Sequence, residues 1–158
     1  GSGCIGLTLA AEDPQWLVCV TDLSNDALTV CQKNRERFGL MNVVTYEGSL
    51  LKPLAQQTFD LIVANLPYIA PEYSHLEAGD LRFEPQIALV AEDHGLALIT
   101  ELIRLAPKHL NIDGYLVLEH GYDQQEVLTN ALKQTGFKTV VQLADLSGIP
   151  RGLIAQWS

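Results

Sequence analysis

An apolar run that stops abruptly at an amide and a proline, Phe59-Asp60-Leu61-Ile62-Val63-Ala64-Asn65-Leu66-Pro67-Tyr68-Ile69, leaves few folds open to this chain. Leu61 to Ala64 are uncharged and rich in β-branched residues, which predicts a strand buried on both faces. Such strands belong to parallel sheets covered by helices, and in open α/β sheets ligands bind at the carboxyl ends of the strands. Here that end holds Asn65, Leu66, Pro67 and Tyr68. Pro67 sets its own φ and pushes Leu66 into an extended conformation, so the loop's carbonyls point in a fixed direction beside an aromatic ring. A pocket of that kind suits a planar group. Local composition equally allows a plain turn, with Asn65 capping it, Pro67 ending the strand and Tyr68 half-buried.

The rest of the chain alternates in the same sense. Gly1-Ser2-Gly3 passes directly into Cys4-Ile5-Gly6-Leu7-Thr8-Leu9-Ala10-Ala11, a loop able to approach a ligand closely before a buried helix begins. Asp13-Pro14 breaks that helix, and Trp16 to Val20 predicts a buried strand ending at Thr21-Asp22. Ser24 can cap the next helix. There Ala27, Leu28, Cys31, Arg35 (by its stem) and Phe38 follow helical spacing until Gly39 closes it. Asn42 to Glu47 predicts a third strand, followed by Gly48-Ser49-Leu50-Leu51, and Gln56-Gln57 turns into the Phe59 strand. An acidic residue in the position of Asp22 suits the two ribose hydroxyls of a nucleoside, although a helix-start carboxylate is the plainer reading.

From Ala70 to Asp93 the periodicity fades into a long loop beside the proposed site. Leu96 to Leu110 predicts a helix, with Leu98, Leu102 and Leu105 on one side, Ile99 and Ile103 beside them, and Pro107 distorting its last turn. Asp113-Gly114 then turns into a buried strand, Tyr115 to Glu119. Asp123 can cap a helix reaching Thr135, with Val127, Leu128, Ala131 and Leu132 well spaced and Gly136 closing it. Lys138 to Leu143 and Gly152 to Trp157 read as an antiparallel closing pair. The fold class expected is α/β: a doubly wound, mostly parallel sheet in one domain, 1–158.

Composition narrows function more than fold. A net charge of −9 argues against a domain that grips nucleic acid by its phosphates. No apolar run approaches membrane-spanning length and no basic-then-apolar leader opens the chain, so a cytoplasmic protein without membrane contact is expected. Cys4, Cys19 and Cys31 lack metal spacing and read as reduced, mostly buried thiols. His75, His94, His109 and His120 are scattered without ligand spacing, so they read as solvent or packing residues and no metal is expected.

At this point the motifs become recognisable. Gly1-Ser2-Gly3-Cys4-Ile5-Gly6-Leu7 resembles the tail of the glycine-rich first motif of class I S-adenosylmethionine-dependent methyltransferases. Asn65-Leu66-Pro67-Tyr68 resembles the motif of those that methylate a planar nitrogen. Arg82-Phe83-Glu84-Pro85-Gln86-Ile87-Ala88-Leu89 and Asp93-His94-Gly95-Leu96 narrow the likeness, as do Leu118-Glu119-His120-Gly121-Tyr122-Asp123-Gln124-Gln125 and Asp145-Leu146-Ser147-Gly148. Together they are similar to the peptide-chain release factor glutamine N5-methyltransferases, over the whole chain.

That resemblance implies S-adenosyl-L-methionine as cofactor. Gly1 and Gly3 would line its methionine end, Asp22 would bind its ribose, Ser49 and Leu50 would border its adenine, and Asn65 would lie against it. Asn65, Leu66, Pro67 and Tyr68 would form the catalytic loop. The Asn65 side-chain oxygen and the Leu66 carbonyl would accept the two hydrogens of the substrate amide, with Tyr68 packed on the amide plane. The implied partner is a release factor methylated at the glutamine of its Gly-Gly-Gln loop, with no direct nucleic acid and a monomeric state expected.

Leu66 stands where the commoner motif has a first proline. The loop also resembles that of ribosomal RNA adenine N6-dimethyltransferases, but the Glu84-Pro85 segment and the acidic balance favour a protein substrate. A ribosomal protein glutamine is the near alternative. RNA or DNA adenine N6 and a non-catalytic fragment are the distant ones. Relative to the family pattern, a first strand is expected to be missing, one that would lie between the strands ending at Asp22 and Ala64, and an amino-terminal helical domain with it.

Overall fold

The computed structural model of the chain describes residues 1–68 and 95–158. The expectations for the Ala70–Asp93 loop, the Arg82–Leu89 segment, His75 and His94 lie outside the described residues. The chain divides into two compact units, Gly1–Gln57 and Thr58–Ser158.

The first unit runs α1 (Cys4–Glu12), β1 (Val18–Asp22), α2 (Asn25–Arg37), β2 (Val43–Glu47) and a single 3₁₀ turn, Lys52–Leu54. β1 and β2 pair in parallel, from Val18 opposite Val43 to Asp22 opposite Glu47. Gly6 lets α1 sit close on this pair: a Cβ there would stand 2.7 Å from Val20 Cγ2. Leu7, Ala10, Cys31 and Val43 form the core, with Val18, Val20 and Leu40 packed against it. The Ser24 hydroxyl caps α2 as expected, accepting from the Ala27 N–H at 3.2 Å. Asn42 closes the connection after α1, donating to the carbonyls of Ala10 at 3.1 Å and Trp16 at 2.9 Å.

Two expectations fail in this unit. Trp16 and Leu17 are not in the strand and are exposed, Leu17 at 87%, because pairing with β2 starts only at Val18. Phe38 has helical spacing but lies past the end of α2 and is exposed.

The second unit contains β3 (Phe59–Asn65), α3 (Ala97–Leu105) with a following 3₁₀ turn (Ala106–Lys108), β4 (Leu110–Glu119), α4 (Gln125–Thr135), β5 (Thr139–Ala144) and β6 (Pro150–Gln156). Its sheet has the order β3-β4-β6-β5. β3 and β4 are parallel, while β6 is antiparallel to both β4 and β5, so the closing pair is as expected. Ile99, Leu102 and Ile103 of α3, Leu116 and Leu118 of β4, Leu128 and Leu132 of α4, and Leu153 of β6 are buried in this unit's core. Pro107 sits in the turn where α3 gives way to 3₁₀ geometry, consistent with the loss of its N–H donor. Gly136 ends α4 at φ 109°, a left-handed conformation that a side chain would strain.

Four details differ from expectation. The helix expected to reach Leu110 ends at Leu105, its 3₁₀ turn at Lys108, and Leu110 already opens β4. β3 is less enclosed than its apolar run suggested: Ile62 is buried, Leu61, Val63 and Ala64 are half-buried, and Asn65 is exposed. Asp113-Gly114 does not precede the strand but lies inside it. Phe59 pairs with Leu110 and Leu61 already with Tyr115, so the residues between bulge out, Asp113 at φ 64°. Asp123 does not cap α4. Gln124 takes the cap position, and its side chain turns back to accept from the Gly121 N–H at 2.8 Å.

Candidate functional site

In the first unit the candidate cofactor residues are held by backbone. Gly3 caps α1 at φ 91°, and its carbonyl accepts from the Leu7 N–H at 2.8 Å. A Cβ at Gly3 would stand 2.5 Å from Cys31 Sγ and 2.9 Å from Leu7, so the chain passes here only as glycine. Asp22 is the last residue of β1, at the carboxyl end where an open α/β sheet presents ligand groups. Its Oδ1 accepts from the Ser24 N–H at 2.6 Å, its carbonyl accepts from the Gly48 N–H at 2.9 Å, and Gly1 donates to its Oδ2. Gly1 and Asp22 are thus brought together. Ser49 and Leu50 follow the carboxyl end of β2, and Leu50 sits at φ 53°. Holding a branched side chain in the left-handed region costs about 1–2 kcal/mol, and such strain gathers where a backbone must present itself in one particular way.

Of the three cysteines, all free, only Cys31 is buried; Cys19 is half-buried and Cys4 exposed, so the expectation of mostly buried thiols holds for one residue. Burial pushes the Cys31 thiol pKa up, against the lowering pull of Arg35. Burial likewise raises Cys19, with a hydrogen bond involving Tyr46 opposing it.

In the second unit Asn65 is the exposed last residue of β3, opposite Glu119 on β4. Leu66, Pro67 and Tyr68 follow without regular structure, each half-buried. Two hydrogen bonds to described residues hold Tyr68. Its hydroxyl donates to Glu119 Oε1 at 3.0 Å, and its carbonyl accepts from Gln124 Nε2 at 3.0 Å. Neither Glu119 nor Gln124 received a role from the sequence. They lie 51 and 56 residues downstream of Tyr68, and nothing local to either marks them as its partners.

His120 is completely buried, and its Nδ1 lies 2.7 Å from the Gly121 carbonyl. A carbonyl only accepts, so Nδ1 carries the proton; Nε2 has no hydrogen-bond partner among the described residues. His109 is buried too, so both described histidines pack inside. Among the described residues no group of three His, Cys, Asp or Glu is arranged to hold a metal ion, and no helix is long and apolar enough to cross a membrane.

The family model of the methyltransferase small domain matches residues 1–81, which include Gly3, Asp22, Leu50 and the Asn65–Tyr68 loop. The chain belongs to that family. Over 151 residues it is 44% identical to the release factor glutamine methyltransferase of Xylella fastidiosa strain Temecula1, covering 96% of this chain and 55% of that protein. The release factor glutamine methyltransferase of Pseudomonas aeruginosa is 41% identical over 150 residues, covering 95% of this chain and 54% of that protein. The chain therefore spans about half the length of the curated relatives it matches. The crystal structure of a ribosomal protein L11 methylase from Lactobacillus delbrueckii subsp. bulgaricus superposes with a TM-score of 0.73 at 23% identity, covering 100% of this chain and 66% of that one. The fold of this methyltransferase chain is accordingly of the class I, Rossmann-like type.

Proposed function

We propose that residues 1–158 belong to the catalytic domain of a cytoplasmic S-adenosylmethionine-dependent methyltransferase acting on the side-chain amide nitrogen of a glutamine, the one in the Gly-Gly-Gln motif of a peptide chain release factor. The observation that carries this reading is the exposed Asn65 at the carboxyl end of β3, followed within three residues by a tethered aromatic ring. The relatives named above bear the same activity in their names and support the choice of substrate.

Three features of the first unit support cofactor binding there. Gly3 sits where a Cβ would collide with Cys31 and Leu7, so its backbone stays bare, Asp22 ends its strand with a carboxylate whose Oδ1 accepts from the Ser24 N–H, and Leu50 is held in a strained backbone conformation. In this reading Gly1 and Gly3 line the methionine end, Asp22 accepts from the ribose hydroxyls, and Ser49 and Leu50 border the adenine. When bound, S-adenosylmethionine supplies an electrophilic methyl group on a sulfonium.

The chain's own contribution is orientation. A glutamine amide nitrogen is a poor nucleophile because its lone pair is delocalised into the carbonyl. Asn65 Oδ1 accepts one of its hydrogens and the Leu66 carbonyl accepts the other, while Tyr68 packs on the amide plane and Pro67 stiffens the turn. Two fixed acceptors would aim the nitrogen and stabilise the positive charge it gains on taking the methyl group that the cofactor would supply. The proton leaves to water afterwards, so no strong base is needed beforehand.

Purified release factor, incubated with S-adenosylmethionine and the full-length protein, is expected to gain one methyl on the Gly-Gly-Gln glutamine by peptide mass spectrometry. Methyl appearing on a ribosomal protein or on RNA instead would overturn the substrate and leave the fold standing.

A further inference from the structure

The candidate catalytic loop is too short to orient itself. Asn65 is fixed by the β3–β4 ladder opposite Glu119, but Leu66, Pro67 and Tyr68 belong to no helix or strand. Two residues separate the ladder from Tyr68, and both are conformationally narrow: Pro67 has a locked φ, and Leu66 is kept out of the helical region by the proline after it. Fixing Tyr68 at the far end therefore fixes where the Leu66 carbonyl points.

Three groups converge on Tyr68. Glu119 Oε1 accepts from its hydroxyl at 3.0 Å, and Gln124 Nε2 donates to its carbonyl at 3.0 Å. Gln124 is itself buried and pinned, since its Oε1 accepts from the Gly121 N–H at 2.8 Å and its own N–H donates to the Gly121 carbonyl at 3.0 Å. Gly95, at φ 81°, lies flush against the same peptide. A Cβ there would stand 2.0 Å from the Tyr68 carbonyl oxygen and 2.9 Å from Gln124 Nε2. Ring and backbone of Tyr68 are thus clamped from the carboxyl end of β4 and the start of α4.

We propose that Glu119 and Gln124 are positioning residues for methyl transfer: through Tyr68 they set the direction of the Leu66 carbonyl, one of the two acceptors that grip the substrate amide. The inference rests on the reading of Asn65–Tyr68 as the amide-binding loop. The bond to Tyr68 requires an acceptor at position 119, not a charge. It acts on the geometry of the reacting nitrogen, where a misplacement of about 1 Å lowers the rate roughly 100-fold.

The test uses the full-length protein, purified release factor and labelled S-adenosylmethionine, with kcat, KM, cofactor Kd and melting temperature measured for each variant. Glu119→Leu and Gln124→Met are expected to lower kcat about 10- to 100-fold with cofactor Kd nearly unchanged. Glu119→Gln, which keeps an acceptor oxygen, is expected to retain most of kcat. Tyr68→Phe, which removes one hydroxyl from the same bond, should match Glu119→Leu, and the double variant should be no slower than either single one. Should Glu119→Leu fail to fold, Tyr68→Phe carries the expectation alone.

An unchanged kcat in Glu119→Leu and Tyr68→Phe, or a Glu119→Gln as slow as Glu119→Leu, overturns the proposal. Asn65→Ala separates the two levels. Full activity in that variant overturns the reading of the loop and this inference with it. An inactive Asn65→Ala beside a fully active Glu119→Leu overturns this inference alone.

Discussion

In Gly1–Gln57 the candidate ligand groups are held by the backbone of their own neighbourhood, and in Thr58–Ser158 by side chains from far along the chain. Gly3 is a helix cap, Asp22 is a strand end whose carboxylate is fixed two residues later by the Ser24 N–H, and Leu50 is strained in place. Tyr68 instead depends on Glu119 and Gln124, 51 and 56 residues away. The cores differ in the same direction. The first unit buries Leu7, Ala10, Leu28, Cys31, Val43, Leu51 and Leu54, whereas the second buries more and larger side chains, Ile99, Ile103, Leu116, Leu118, Leu128, Leu132 and Leu153 almost completely. A local site can rest on a small core, because its geometry is set by caps and strand ends. A site assembled from distant residues needs a large one to bring them together.

That contrast breaks first, if it is wrong, at the cores. Leu153→Ala or Leu128→Ala should destabilise the protein by about 2–5 kcal/mol in urea denaturation, while Cys31→Ala in the first unit should cost only about 1 kcal/mol. Equal losses would remove the distinction. Gly3→Ala comes next. It adds a Cβ against Cys31 and Leu7 at a positive φ, and a loss of about 2 kcal/mol is expected together with weaker S-adenosylmethionine binding by calorimetry.

Leu50→Gly acts in the opposite sense on stability. Relieving the left-handed strain should leave the melting midpoint unchanged or raise it by the equivalent of up to about 1 kcal/mol, while cofactor Kd increases. A Leu50→Gly protein that binds cofactor as tightly as its parent would show that the strain serves nothing.

How much of this was legible follows from the same difference. The Ser24 cap, the Gly39 and Gly136 helix ends, the break at Pro107 and the strand end at Asn65 are local, and their residue types announce them. Asp22 and Gly3 were legible for the same reason. Glu119 and Gln124 were read only as part of a motif, because a hydrogen bond to a tyrosine more than 50 residues upstream leaves no periodicity. Asp123 misled because a capping residue type stood one position before Gln124, whose longer side chain reaches the Gly121 N–H. Trp16 and Leu17 misled because apolarity extends past the point where a partner strand begins. The bulge at Asp113-Gly114 was seen as a break, but a ladder that resumes beyond an insertion looks in sequence like a turn.

The smallest effect concerns the first unit's thiols. Cys4 should react with a thiol reagent at once, Cys19 slowly and Cys31 only on unfolding, by peptide mass mapping. Burial raises the Cys19 and Cys31 thiols above their ordinary value of 9.0. The folded state therefore keeps protons that the unfolded chain gives up. The associated stability is fully present below pH 9.0 and is lost as pH rises through the raised folded values. A stability that climbs above that pH would contradict the assignment.

Asn65, exposed at the end of β3, is the residue proposed to grip the glutamine amide. The most direct test of that role is peptide mass spectrometry of release factor after incubation with the full-length protein or its Asn65→Ala variant. The account expects one methyl on the Gly-Gly-Gln glutamine with the parent and a rate lower by about 100-fold or more in the variant, its cofactor affinity reduced far less. Methylation of that glutamine by Asn65→Ala at the parental rate would contradict it.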